Sequence, residues 1–71
     1  MNRVGEKLRV LRQREGLTTR QLGEIIGVDS TYIVRIENGQ RRPSIDVVAD
    51  IARYFKISSD QLIMDELELD D

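Results

Sequence analysis

The chain has 71 residues, 11 Lys and Arg against 13 Asp and Glu, a formal charge of −2, and neither cysteine nor histidine. Disulfides, thiolate metal sites and the commonest general base are excluded, so one small domain must draw its stability from aliphatic burial. No apolar run approaches the roughly 20 residues of a membrane span. The opening MNRVGEKLRV holds no uninterrupted apolar stretch for a secretory signal, so the cytoplasm is the expected compartment.

The acidic balance is uneven. Asp65, Glu66, Glu68, Asp70 and Asp71 crowd the last seven residues, DELELDD, and leave residues 1–64 with 11 basic against 8 acidic side chains. An excess of three positive charges on a small domain is enough for a one-sided basic patch. The chain divides on this basis into a domain over 1–64 and an acidic C-terminal tail over 65–71.

In chain order, the first helix runs from about Arg3 to Arg14. Val4, Leu8 and Leu11 recur at i, i+4, i+7 and form its inner stripe, with Glu6, Lys7, Arg9 and Gln13 expected to face water. Gly16 suits the left-handed residue that follows a helix. Thr18 opens the second helix. Gln21 stands three residues on, the spacing of a capping box. Leu22, Ile25 and Ile26 make the expected apolar face, and Gly27 ends it. Asp29 caps a third, short helix that Asn38-Gly39 closes.

QRRPS follows as a polar loop with two adjacent arginines and the one proline. Ser44 caps a fourth helix on the stripe Ile45, Val48, Ile51, Ala52 and Phe55. Ser58 with Gln61 repeats the capping box before a short fifth helix through Leu62 and Ile63. The tail is read either as frayed chain or as Leu67 and Leu69 pairing within an oligomer; Ile63, Met64 and Leu67 are either core and tail or a self-association patch.

The second and third helices are joined by little more than Gly27-Val28, so they must cross steeply, as in a helix-turn-helix. Gly27 supplies backbone freedom, Gly23 leaves room for the third helix, and Ile33 and Ile36 plug that helix into the domain. Helical geometry then turns Ser30, Thr31, Val34, Arg35 and Asn38 outward on one face. Hydroxyls, a valine and an arginine suit the floor of a DNA major groove. Arginine forks onto guanine, hydroxyls bond purine edges, and valine lies against thymine methyls.

The run LTTRQLGEIIGVDSTYIVRIENGQRRPS, with the closing SSDQLI, closely resembles the phage-repressor and Cro-like helix-turn-helix domains, also called the xenobiotic-response-element family. The resemblance extends from about Val4 to Ile63. It implies an all-α, five-helix domain of the lambda-repressor-like type that binds double-stranded operator DNA, usually as a homodimer, and regulates transcription. By position, Ser30, Thr31, Val34 and Arg35 match base-contacting sites. Thr19, Tyr32 and Asn38 match phosphate contacts, and Arg41 and Arg42 match a basic loop near the DNA backbone or minor groove. Arg12 and Glu37 match an ion pair that bridges the first helix to the end of the recognition helix. Two positions depart from the pattern. Gly23 stands where alanine is usual, and Ser59 and Gln61 stand where some phage repressors carry large apolar dimer contacts.

Each residue also has a plainer reading. Arg35 could be a solvated helix residue, and Arg41 and Arg42 an ordinary loop pair. The Tyr32 phenol either closes the core edge or reaches a phosphate. Glu37, on an inward-leaning face, is read as structural, with Arg12 as its natural partner. No phosphate-binding glycine loop, HExxH, nucleophile–base pair or calcium-loop spacing occurs, so no enzyme, cofactor or metal is expected. A sequence-specific regulator, most simply a repressor on a near-palindromic operator, is the favoured function. The rival is a protein-interaction module of the same fold, such as an antitoxin-like subunit, with the acidic tail docking into a basic partner.

Overall fold

The computed structural model describes residues 1–69. Five helices follow in order: α1 Val4–Arg14, α2 Thr19–Ile26, α3 Ser30–Glu37, α4 Ile45–Phe55 and α5 Ser59–Ile63. Among the described residues there is no strand. Leu8, Leu22, Ile33, Ile36, Ile51 and Leu62 are wholly buried and draw one residue or more from every helix into a single core.

Helices α2 to α5 each start on a local side-chain cap, whereas α1 has none within its own segment. Thr18 Oγ1 accepts from the Gln21 amide at 3.0 Å while Gln21 Oε1 accepts from the Thr18 amide at 2.9 Å, and Ser58 with Gln61 does the same. Ser44 Oγ accepts from the Val47 amide and so caps α4. Between α2 and α3, Gly27 takes φ +86°, a conformation that side-chain-bearing residues rarely adopt. A Cβ on Gly23 would stand 2.7 Å from the Val28 carbonyl oxygen, so the turn folds back directly over that glycine.

Four expectations change. Ile25 is 43 % exposed; Leu22, Gly23 and Ile26 carry the inner face of α2, and Ile25 lies well round the helix from them. Ile45 is 86 % exposed, and Val47 takes its place in the core beside Val48, Ile51 and Ala52. The reason is that Ile45 sits at the edge of the stripe, in the first turn of α4. Lys7 and Arg9, both expected to face water, are engaged by other parts of the chain.

Lys7 is 2 % exposed. Its ammonium donates to the carbonyls of Gln61, Met64 and Leu67 at 2.6, 2.8 and 2.5 Å. These carbonyls belong to the end of α5 and the turn after it, and a helix end draws on donors from outside its own amide ladder. A charged donor with three protons meets that need, and its aliphatic stem lies beside the α1 stripe. Beyond α5 the acidic segment continues along the start of α1. Asp65 accepts from the Asn2 and Arg3 amides at 2.8 Å, Arg3 forks onto Glu68, and Leu69 packs against the core. Asp70 and Asp71, the last acids of the tail, lie outside the described residues.

Candidate nucleic-acid interface

Helix α3 is held at three points. At its start, Asp29 Oδ1 accepts from the Thr31 amide at 2.8 Å, and this bond holds the Asp29 carboxyl below the usual carboxylate range. Beneath it, Ile33 and Ile36 are wholly buried. At its end, the amides of Asn38, Gly39 and Gln40 donate to the carbonyls of Val34, Ile36 and Arg35 and close the last turn.

The third hold is reinforced by a buried charge cluster. Glu37 is 7 % exposed, and Arg12 grips its carboxylate with two N–H groups at 2.7 and 2.9 Å. The same guanidinium donates to the Leu17 carbonyl at 2.8 Å, which ties the α1–α2 connection into the cluster. The bond to Glu37 raises the Arg12 pKa further above its ordinary value, although burial works the other way. Gly5 lets α1 come this close, since a Cβ there would collide with the Ile36 and Glu37 carbonyl oxygens. Arg9 adds a second guanidinium, with Nε 3.3 Å from Glu37 and Nη2 donating to Asn38 Oδ1 at 2.9 Å.

With α3 so fixed, Thr31, Val34 and Arg35 are exposed on its outer side and Ser30 is half-buried. Val34 is 39 % exposed, a methyl surface open to a partner. Among the described residues the side chains of Arg35 and Arg42 have no hydrogen-bond or ion-pair partner. The Arg41 guanidinium lies 5.1 Å from the centroid of the Tyr32 ring, within cation–π range. Tyr32 itself is half-buried, and its phenol oxygen accepts from the Ser44 amide at 3.0 Å. Its own proton is left to donate. Thr19 is the first residue of α2 and is half-buried; no hydrogen bond joins its side chain to the α3 groups among the described residues.

A groove of about 400 Å³ opens between the start of α1 and the loop after α3, with Asn2, Gly5, Asn38, Gly39, Arg41 and Arg42 on its walls. Arg9 and Gly5 are the members of this region that the sequence reading missed. A glycine at i+1 of a helix and an arginine on a nominally polar face carry no local signal of a tertiary role.

Residues 3–63 match the family described as a helix-turn-helix domain. This chain belongs to that family. An uncharacterised HTH-type transcriptional regulator of Mycobacterium tuberculosis is 36 % identical over 58 residues, which cover 82 % of this chain and 41 % of that protein. The chain therefore spans about two fifths of the length of that relative. The restriction-modification controller protein C.AhdI of Aeromonas hydrophila shares 31 % identity, covers 87 % of this chain and 94 % of its own, and superposes with a TM-score of 0.78. The P22 c2 repressor, solved in complex with a synthetic operator, superposes with a TM-score of 0.82 at 23 % identity, over 86 % of this chain and 92 % of its own. These matches make the all-α, five-helix, phage-repressor-like fold a shared one for this helix-turn-helix chain.

Proposed function

We propose that this helix-turn-helix protein is a sequence-specific regulator of transcription that acts in the cytoplasm by placing α3 in the major groove of operator DNA, most simply as a repressor. The observation that carries the reading is a rigidly held helix whose outer face offers Thr31, Val34 and an unpartnered Arg35. Relatives named as transcriptional regulators support it. Ser30, Thr31, Val34 and Arg35 read base edges, the arginine by a two-pronged bond to guanine. Thr19, Tyr32, Asn38, Arg41 and Arg42 hold phosphates and set register without choosing sequence. For Tyr32 the accepted bond from Ser44 aims the phenol and leaves its proton for a phosphate oxygen. Arg12 and Glu37 keep the end of α3 in place, and no step of this function is catalytic.

A second copy of the chain completes the proposal. Pro43, Ile45, Val48, Ala49 and Ile63 line an apolar groove, and Ile45 at its rim is 86 % exposed. This surface follows directly on the Arg41-Arg42 loop. It supplies apolar contact although Ser59 and Gln61 do not. The antitoxin-like reading keeps less support, because Asp65, Leu67 and Glu68 already engage Asn2, Lys7 and Arg3.

Selection of bound duplexes from a random DNA pool tests both parts. The expected outcome is a near-palindromic consensus with half-sites one helical turn apart. Enrichment of a single, asymmetric half-site would remove the dimer, and no enrichment at low salt would remove the DNA reading.

A further inference from the structure

The C-terminal end of a recognition helix is a poor place to meet a phosphate. Its dipole presents partial negative charge, and here Glu37 adds a full one. Three features reverse that sign. The carbonyls of Val34, Arg35 and Ile36 in the last turn of α3 are already occupied by the amides of residues 38–40. Arg12 neutralises Glu37. Arg9 then brings a second positive charge to the same carboxylate and extends past it to Asn38.

The contact between Arg9 and Asn38 also fixes a chemical choice. A guanidinium carries only donors, so the amide group of Asn38 must turn its oxygen toward Arg9. Its NH₂ group therefore faces the other way, and Asn38 is exposed. Arg9 keeps Nη1 without a partner among the described residues, and its side chain is 45 % exposed. Two donors, one charged and one neutral, thus stand side by side at the end of α3.

We propose that Arg9 is a phosphate-binding and positioning residue: it orients the Asn38 amide as a donor and, with it, seats one phosphodiester of the DNA backbone beyond the C-terminus of α3. This assignment rests on the DNA reading above and deepens it. The pair contributes affinity without sequence preference, and Arg9 acts from α1, an element outside the helix-turn-helix itself.

The test is a double-mutant cycle on the wild-type-selected duplex and on a scrambled duplex of equal length, with binding measured across a salt series. Arg9→Met is expected to weaken both duplexes alike, about tenfold, and to lower the salt slope by about one. Asn38→Ala alone should weaken binding less, and in the Arg9→Met background it should add almost nothing, because the amide is no longer aimed. Asn38→Asp keeps the acceptor for Arg9 but replaces the donor with an anion, and should lose at least as much as Arg9→Met. Arg9→Lys retains charge without the fork; it should keep the salt slope and lose the coupling to Asn38. Losses that simply add, or an unchanged slope in Arg9→Met, would overturn the assignment while the DNA reading stands. Failure of the wild-type protein to bind any duplex at low salt would overturn the DNA reading itself, and this assignment with it.

Discussion

Two regions of the molecule treat charge in opposite ways. Where residues 61–68 fold against α1, Lys7, Arg3, Asp65 and Glu68 all have partners in the chain. Along α3 and the loop after it, the side chains of Arg35 and Arg42 have none among the described residues, and Arg41 rests on a tyrosine ring. The first region spends its charges on closing the fold. The second holds charges in solvent at little cost, since a hydrated guanidinium needs no partner, and leaves them ready for an external anion. The buried Arg12–Glu37 cluster joins the two, because it takes its arginine from α1 and sets the position of α3.

The largest effect should come from breaking that junction. Glu37→Gln leaves Arg12 without its carboxylate in a largely buried site, and a loss of about 3 kcal/mol is expected by analogy with other broken buried pairs. Urea denaturation measures it, and for so small a domain the loss approaches the whole stability. A change under about 0.5 kcal/mol would mean the cluster is solvated and does not hold α3.

A smaller effect separates the unpaired charges from the paired ones. Arg42→Ala should leave the unfolding midpoint unchanged, yet weaken binding to every duplex and lower the salt slope by about one. A shifted midpoint would place Arg42 with the structural charges.

The smallest effect concerns the paired acids. Hydrogen bonds from Arg3 and Asn2 amides hold the Asp65 carboxyl below its ordinary value, and Arg3 does the same for Glu68. A carboxyl whose folded pKa is depressed contributes stability above its unfolded pKa of about 4 and loses it as pH falls through the folded value. Stability should therefore decline below about pH 4, and Asp65→Asn should decline less steeply over the same interval. Parallel acid limbs for the two proteins would show that the clasp contributes nothing measurable.

How far the sequence reveals all this depends on the reach of each interaction. Caps at Thr18, Asp29, Ser44 and Ser58 are legible because donor and acceptor lie within three residues of each other. The outward face of α3 is legible because two buried isoleucines determine which residues face away. Lys7 is not, since a lysine beside an apolar stripe looks solvated until the carbonyls of α5, more than 50 residues away, are brought to it. Ile25 and Ile45 mislead for the complementary reason: apolar spacing marks a stripe but not its edges. The Arg9–Asn38 contact joins residues 29 apart through side chains alone and leaves no periodic trace.

The outer face of α3 is proposed to distinguish base pairs, and a comparison of Arg35→Ala on the selected operator and on its scrambled counterpart is the sharpest check. A loss of about 1–3 kcal/mol is expected on the operator, with little change on the scrambled duplex and relaxed preference at one base pair. Equal losses on both duplexes would make Arg35 a phosphate contact and contradict that proposal.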